Sequence, residues 1–329
     1  MSVQKILSSA KAASPQLAQA STGTKHEALS KLSQLLGDNQ QSILDANQLD
    51  LDRGEKDGLA KSLFDRLRLT PDRIAGLQQS IQEIMAFKDP IGDVLRGSKL
   101  ENGLRIEQVR VPFGVIGVIY EARPNVTIDI AALAIKSGNA VVLRGGSAAV
   151  ETNRVLVGLI QQALEDAGLS KDLVQTVDDY GRDGGTGMMR ARGLVDVLIP
   201  RGSASLIQTV VNESKVPVIE TGDGIVHLFI DKDADREKAI KIANNSKTHR
   251  VSVCNSLETL LIHSAVLGSI GVDILKDLDQ SGVKINACER TLKAYPAANL
   301  ATEQDWATEY LAMEISVKTV DSLDEALEH

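Results

Sequence analysis

Aromatic residues make up only 3% of this 329-residue sequence, although apolar residues as a whole make up 43%. The core must therefore consist mainly of Ala, Val, Ile and Leu. That composition suits parallel strands that are buried between helices. The chain is long enough to form two domains, each with a core of its own.

Several classes of protein are disfavoured by what is missing. The two cysteines, Cys254 and Cys288, are too few for a disulfide framework and favour a reducing, cytoplasmic environment. The sequence has no run of about 18 apolar residues, so we expect no membrane span, and its first residues are too polar for a secretory signal. A net charge of −8 argues against a nucleic-acid partner. We also predict no metal site.

Helical patterns fill the first 90 or so residues. Leu29, Leu32, Leu35 and Leu36 form one apolar helical face, and Thr70 followed by Pro71 predicts a helix start with the threonine as N-cap. The rhythm then changes to strands that alternate with helices, which indicates a mainly parallel sheet. The predicted strands are 104–111 (an exposed strand or ribbon), 115–120, 140–143, 195–199 and 216–220, and the predicted helices are 127–136, 149–166 and 204–212.

The same alternation restarts after Asp223 and Gly224, where we place a domain boundary. Near the end of the chain, Ser322 precedes an acidic turn and predicts the start of a short helix. The predicted strands of this second part are 226–230, 257–262 and 283–285, and the predicted helices are 234–247 and 266–278. The sequence therefore predicts two successive α/β domains.

Cys254 is the first candidate for chemistry. It lies between a predicted helix and a predicted strand, and loops at strand ends are where α/β proteins place reactive groups. His249 and Arg250 would favour the thiolate, which is the form of cysteine that attacks electrophiles. The alternative is a buried structural cysteine, a common environment for this residue.

Two further strand ends carry polar or glycine-rich turns. Glu220 is interpreted either as a general base or orienting group, or as a cap or surface turn. Arg144, Gly145, Gly146 and Ser147 connect a strand to a helix, where small residues let the backbone approach a phosphate and a helix N-terminus favours an anion. The pattern is weak evidence, because many strand–helix turns contain glycine. It matches neither the Walker A loop nor the G-x-G-x-x-G dinucleotide-binding fingerprint.

Two more strand ends have the same character. The amide of Asn125 would donate a hydrogen bond to a developing oxyanion, or alternatively it would cap the following helix. Arg123 has the planar donor group that binds a carboxylate or phosphate with two hydrogen bonds. Gly202 and Ser203 end another strand before a helix and would form a second wall of a dinucleotide site.

Together these segments resemble one family. They are similar, in order and over essentially the whole chain, to the γ-glutamyl phosphate reductases of the aldehyde dehydrogenase superfamily. In that superfamily an acidic residue precedes the nucleophilic cysteine, and the separation of Glu220 from Cys254 (254 − 220 = 34) suits that pattern. The segments that carry the resemblance are 112–117, 120–127, 143–147, 199–202, 252–255, 257–263 and 305–311.

The resemblance implies an aldehyde dehydrogenase-like α/β fold. Residues 1–223 would form a helical N-terminal segment and a Rossmann-like NADPH-binding domain, with 104–111 as an oligomerisation ribbon. Residues 224–329 would form the catalytic domain that carries Cys254. The chain would assemble as a homo-oligomer if the full-length C-terminus is present.

The implied reaction is the NADPH-dependent reduction of L-glutamate 5-phosphate to L-glutamate 5-semialdehyde, with release of phosphate, in proline biosynthesis. A thioester on Cys254 would be the intermediate, Asn125 would stabilise the oxyanion and Arg123 would bind a substrate anion. The role of Glu220 stays open between catalysis and positioning. Cofactor would be bound by Arg144, Gly145, Gly146, Ser147, Gly202 and Ser203. Glutamate 5-kinase, which would supply the labile acyl phosphate, is a possible partner.

The sequence also departs from the family pattern. Val251 stands where the family usually has proline, residues 224–227 differ from the usual motif, and residues 180–187 are unusually rich in glycine for a cofactor-side loop. The family continues beyond the position of His329, so the catalytic domain is expected to be incomplete. Two alternatives therefore stay open: a non-phosphorylating aldehyde dehydrogenase and a catalytically inactive scaffold.

Overall fold

The computed structural model describes residues 2–121, 123–220 and 224–329. They form two compact units, Met1–Thr221 and Gly222–His329. Asp223, at the predicted domain boundary, lies outside the described residues. Within the described part of the chain, no helix combines the length and the apolar character that crossing a bilayer requires.

The first unit begins with a layer of helices, as the sequence predicts. Leu29, Leu32 and Leu36 are fully buried. The hydroxyl of Thr70 accepts the N–H of Arg73 at 3.2 Å, which confirms the predicted N-cap. These helices are α1 (Val3–Ala18), α2 (Thr22–Asp38), α3 (Gln40–Lys56), α4 (Lys61–Leu67) and α5 (Pro71–Ala86).

An exposed two-stranded ribbon follows. Strand β1 (Val94–Lys99) pairs antiparallel with β2 (Arg105–Val109), and every residue of both strands is exposed. This agrees with the exposed strand or ribbon predicted for 104–111. The ribbon presents apolar side chains to solvent, among them Leu95, Ile106 and Val109.

A parallel four-stranded sheet forms the centre of the first unit. Its order is β5-β4-β3-β6, and its strands are largely buried between helices because most of their residues are aliphatic. The remaining elements of this unit, in chain order, are β3 (Val115–Tyr120), α6 (Pro124–Lys136), β4 (Ala140–Arg144), α7 (Val150–Asp166), β5 (Val174–Thr176), α8 (Gly181–Met189), β6 (Val197–Arg201) and α9 (Ala204–Glu213).

Two predictions for this unit are wrong. In the described stretch 123–220, residues 216–220 pair with β6 only through one bridge, between Leu198 and Val218, and do not form a strand. Two prolines explain this, because Pro217 lacks the N–H that would extend the pairing before the bridge and Pro200 of β6 lacks the N–H that would extend it beyond. Residues 180–187, interpreted as a cofactor-side loop, lie almost entirely within the helix α8 (Gly181–Met189).

The second unit contains a parallel sheet of order β10-β9-β11-β8-β7. The helix predicted for 266–278 begins instead with a π-turn at Leu267–Gly271, where two glycines lower helix propensity. Ser322 accepts the N–H of Glu325 at 3.1 Å, as predicted. The elements are β7 (Val226–Ile230), α10 (Arg236–Thr248), β8 (Leu257–His263), α11 (Val272–Gln280), β9 (Lys284–Ala287), α12 (Glu289–Ala294), β10 (Asn299–Leu300), β11 (Glu314–Val320) and α13 (Leu323–Glu328).

Candidate active site

A cavity of about 510 Å³ lies at the carboxyl edge of the first sheet. Arg144 ends β4, and Ser203 precedes α9; both line this cavity. Arg182 and Thr186 of α8 complete the wall with Glu121, which follows β3. Crevices at the carboxyl ends of parallel strands are the usual ligand sites of open α/β sheets. The volume is within the range of small-molecule sites.

The carboxylate of Glu121 lies at the N-terminus of α9. Its Oε1 accepts the N–H of Ser203 at 3.0 Å and the hydroxyl of the same residue at 2.7 Å. Gly202 makes this approach possible, because a Cβ on it would lie 2.7 Å from the carboxyl carbon of Glu121. The donors that the sequence offers for an anion at Ser203 are thus engaged by a carboxylate of the chain itself.

Gly145 is packed against a buried polar cluster beneath the same edge. Its N–H donates to Asp178 at 2.6 Å, and a Cβ on it would lie 2.2 Å from the amide nitrogen of Asn153. That amide donates to Asp178 at 3.1 Å and its oxygen accepts the Thr127 hydroxyl at 2.9 Å, which in turn contacts the hydroxyl of Tyr120 at 2.6 Å. Burial raises the pKa of both Asp178 and Tyr120.

The rest of the glycine-rich turn leads away from this cluster. Gly146 is half-buried, and Ser147 is exposed at the start of a short 3₁₀ turn, Ser147–Ala149. Arg144 is anchored on the other side, because its Nε donates to the carbonyl of Gly181 at 3.3 Å. The Arg144 side chain therefore connects the end of β4 to the first residue of α8.

Asn125 and Arg123 flank the start of α6. Asn125 is the second residue of this helix, and its amide donates to Asp129 at 3.3 Å, so the interpretation of Asn125 as a helix cap is wrong. Burial raises the pKa of Asp129. Arg123 is half-buried at the N-cap position. Glu220 belongs to the same unit and is exposed, whereas residues 221–223 lie outside the described residues.

Cys254 lies in the second unit, on the loop between α10 and β8, where the sequence places it. The residue is exposed, so the interpretation as a buried structural cysteine is wrong. The same loop carries His249 and Arg250, which are also exposed. It enters β8 at the amino edge of the sheet.

Neighbouring loops meet the loop of Cys254 at this edge. Gly224 lies just before β7, and a Cβ on it would lie 3.2 Å from the carbonyl oxygen of Cys254. The segment 305–311, one of the stretches that carry the family resemblance, leads into β11, which pairs with β8. The amino edge of the second sheet thus gathers three of the sequence motifs.

Cys288 differs from Cys254 in its surroundings. It is half-buried, its sulfur accepts the N–H of Thr319 at 3.4 Å and it lies 3.3 Å from the hydroxyl of Thr291. Burial acts to raise the pKa of this thiol, but these hydrogen bonds outweigh it and the pKa is lowered. Cys288 therefore provides an internal comparison for the chemistry of Cys254.

Arg182 was not identified from the sequence as a cavity residue, and neither were the hydrogen bonds that Ser203 donates to Glu121. The glycines of α8 are a sequence signal that could have indicated Arg182, because several glycines in one segment indicate that it packs closely against its neighbours. A Cβ on Gly184 would lie 2.6 Å from the carbonyl oxygen of Val177. Such packing brings α8 against the sheet and its arginine into the cavity.

Comparison with known proteins is consistent across sequence and structure. The model of the aldehyde dehydrogenase family matches residues 1–285. A γ-glutamyl phosphate reductase of Leifsonia xyli is 54% identical over 322 residues, which cover 98% of this chain and 76% of that protein. One from Thermobifida fusca is 49% identical over 327 residues, 99% of this chain and 78% of that protein.

The crystal structure of a γ-glutamyl phosphate reductase from Thermotoga maritima has the same fold. It superposes with a TM-score of 0.90 at 38% identity, covering 99% of this chain and 79% of that one. The fold expectation is thereby confirmed: two parallel α/β sheets in an aldehyde dehydrogenase-like arrangement of elements. The chain therefore belongs to the aldehyde dehydrogenase family and, within it, to the γ-glutamyl phosphate reductases, which makes it an oxidoreductase of proline biosynthesis.

Proposed function

We propose that this chain reduces L-glutamate 5-phosphate to L-glutamate 5-semialdehyde with NADPH, and that Cys254 is the nucleophile. The observation that carries the proposal is the exposure of Cys254 on the loop between α10 and β8. An exposed thiol on a loop is accessible to an acyl phosphate, whereas a structural cysteine is not. Family membership supplies the substrate class.

The chemistry assigned to Cys254 needs no reactant other than the acyl phosphate and NADPH. Its thiolate attacks the acyl carbon, the carbon–sulfur bond forms, and the bond to the phosphate oxygen breaks to release phosphate. The cofactor, when bound, supplies the hydride that reduces the resulting thioester. The thiohemiacetal on Cys254 then collapses to the aldehyde and returns the thiolate.

Thiolate attack and hydride transfer each give a tetrahedral intermediate with a negatively charged oxygen. The Asn125 amide and the backbone N–H of Cys254 are assigned to donate hydrogen bonds to that oxygen. Loss of one such donor costs about 3 kcal/mol in the barrier. Arg123 is assigned to an anionic group of the substrate, because guanidinium matches carboxylate and phosphate geometry. Glu220 is assigned a positional role, since water must be kept from the thioester.

The cavity at the carboxyl edge of the first sheet is the proposed NADPH site. Its donor set fits a phosphorylated cofactor, because Arg144 and Arg182 contribute two cations to its lining. Gly145, Gly146 and Ser147 would frame the same end of the cofactor. Ser203 and Gly202 would face its phosphates once the Glu121 carboxylate moves aside.

Two associations complete the proposal. The apolar side chains on the ribbon of β1 and β2 would be covered in a homo-oligomer, because exposed apolar patches mark contact sites. The labile acyl phosphate would come from glutamate 5-kinase in the same cytoplasmic compartment.

The reverse reaction tests the proposal. Glutamate semialdehyde, NADP⁺ and phosphate are supplied, and NADPH absorbance is followed for the wild type, Cys254→Ala and Cys288→Ala. We expect phosphate-dependent NADPH formation that falls by at least about 10³-fold in Cys254→Ala and persists in Cys288→Ala.

Each other outcome overturns a part of the proposal. NADPH formation that does not need phosphate would indicate a non-phosphorylating aldehyde dehydrogenase. A folded wild type that forms no NADPH would indicate an inactive scaffold. Equal loss in both cysteine variants would remove the special role of Cys254.

A further inference from the structure

A buried ion pair joins the two elements that flank Cys254. The Nζ of Lys247 lies 2.8 Å from Oε2 of Glu258, and both side chains are 0% exposed. Lys247 lies in the last turn of α10 and Glu258 is the second residue of β8, so the pair closes the base of the loop 249–256. Two positions 11 residues apart in the chain are held together out of contact with water.

Further contacts fix the returning end of this loop. The N–H of Ser256 donates to the carbonyl of Val253 at 3.1 Å, and the Ser256 hydroxyl lies 3.5 Å from the carbonyl oxygen of Lys247. Ser256 is fully buried, whereas Cys254, two residues earlier, is exposed. The candidate nucleophile thus sits on a short loop whose base is buried and hydrogen-bonded.

Glu258 also connects this loop to a second one. Its other carboxylate oxygen, Oε1, accepts the N–H of Leu311 at 3.2 Å. Leu311 has a φ of 50°, a left-handed conformation that a residue with a side chain adopts only where its surroundings impose it. The segment 305–311 leads into β11, the neighbour of β8, so Glu258 ties together two loops at one edge of the sheet.

Stability alone does not account for such a pair. Burial removes the hydration of both charges, and an apolar pair of similar volume is often at least as stable. A buried pair does impose one geometry, because each partner is left unsatisfied if the other moves. Here the geometry that it imposes is that of the loop carrying Cys254.

We infer that Lys247 and Glu258 are positioning residues, which hold the loop of Cys254 and the Leu311 backbone in the arrangement from which the thiolate attacks. The inference rests on the role proposed above for Cys254. Misplacement of a reacting group by about 1 Å can cost about 10²-fold in rate, so a loosened loop should lower turnover strongly.

The test separates positioning from stability with the double variant Lys247→Met/Glu258→Leu. This change leaves no buried charge and keeps the volume, so we expect it to fold and to melt near the wild-type temperature. The N–H of Leu311 loses its acceptor, and the loop base loses its directional bond. The control is Arg236→Met/Asp273→Leu, which removes a solvent-accessible pair that joins the same helix, α10, to α11 instead of β8.

Two readouts are measured on both double variants, kcat and KM in the reverse assay and amide hydrogen exchange by mass spectrometry. In Lys247→Met/Glu258→Leu we expect kcat to fall about 10²-fold with KM for NADP⁺ unchanged. We expect exchange in peptides covering 249–256 and 308–313 to rise by about tenfold or more, with α11 unchanged. The control should retain wild-type values for both.

A folded Lys247→Met/Glu258→Leu enzyme with wild-type turnover and wild-type exchange would overturn the inference and leave the pair a structural feature. Exchange that rises uniformly over the second unit would overturn it too. If the wild type has no turnover, the proposed function fails, and the exchange of 249–256 still decides whether the pair holds the loop.

Discussion

Gly145→Ala tests the buried cluster on which the cofactor edge rests. The new methyl group would lie 2.2 Å from the amide nitrogen of Asn153 and 3.2 Å from both Asp178 and the Tyr120 hydroxyl. Asn153 is only 1% exposed and holds bonds to Asp178 and Thr127, so it cannot move into solvent without breaking them.

The magnitude follows from these contacts. Overpacking a well-filled site costs about 1–3 kcal/mol, and leaving a buried polar group unsatisfied costs about 1–3 kcal/mol. Alanine restricts the unfolded chain and offsets about 0.4–1 kcal/mol of this. We therefore expect Gly145→Ala to lower the free energy of unfolding by about 2–5 kcal/mol, or the melting temperature by about 5–15 °C.

Thermal unfolding followed by circular dichroism measures the effect, with Gly158→Ala as the control. Gly158 lies in α7, the helix of Asn153, but has nothing within 4 Å of its added Cβ. Alanine there should stabilise the protein by about 0.5–1 kcal/mol, because glycine is a poor helix former.

The double variant Gly145→Ala/Asn153→Ala checks the contact itself. Removing the Asn153 side chain relieves the overlap, so the double variant should be more stable than the sum of the single effects by at least about 1 kcal/mol. Strictly additive effects, or a Gly145→Ala protein as stable as the wild type, would refute the argument that this close approach requires glycine.

Two further outcomes are expected from the cavity and from the second unit. Arg144→Ala and Arg182→Ala should each reduce the preference for NADPH over NADH, measured as the ratio of the kcat/KM values, by about tenfold to 100-fold, because a charge-assisted hydrogen bond is lost. Arg192→Ala, at an exposed position outside the cavity lining, should leave this ratio unchanged. An unchanged ratio in both cavity variants would place the 2′-phosphate elsewhere. Burial acts to raise the pKa of Asp305, but hydrogen bonds from Tyr310 and Thr302 outweigh it and lower the pKa below its ordinary value of 3.8. Its stabilisation is therefore complete above that value and is lost as the pH falls through the lowered pKa. Asp305→Asn should be less stable than the wild type at about pH 6, with a difference that shrinks below about pH 4, and a difference that is independent of pH in thermal unfolding would contradict this.

The sequence alone predicts the elements whose signal is local. Residues 115–120 form a continuous apolar run, which identifies a buried strand, and Val115–Tyr120 is that strand. Thr70 and Pro71 mark a helix start because capping depends on neighbouring backbone groups. The position of Cys254 between a helix and a strand follows from the same local patterns, as does the family.

Elements whose form depends on distant contacts were predicted less well. The pattern at 216–220 is that of a strand, but whether it pairs depends on the N–H groups that Pro217 and its neighbours offer to β6. Asn125 is a residue type that often caps helices, yet the helix begins at Pro124, so Asn125 lies inside it. Proline at the first helical position is itself a local signal, as at Pro71, so this boundary is contained in the sequence although the interpretation of Asn125 as the cap overlooks it.

The site shows the same division. Local sequence determines which residues are available, including Arg144 and Ser203, each at its own strand end. Only the tertiary structure decides that Arg182 enters the same cavity, that Glu121 engages Ser203, and that Lys247 and Glu258 meet in the core. The physical reason is that burial and ion pairing depend on distances between elements, which the order of strands in a sheet fixes and a local pattern does not contain.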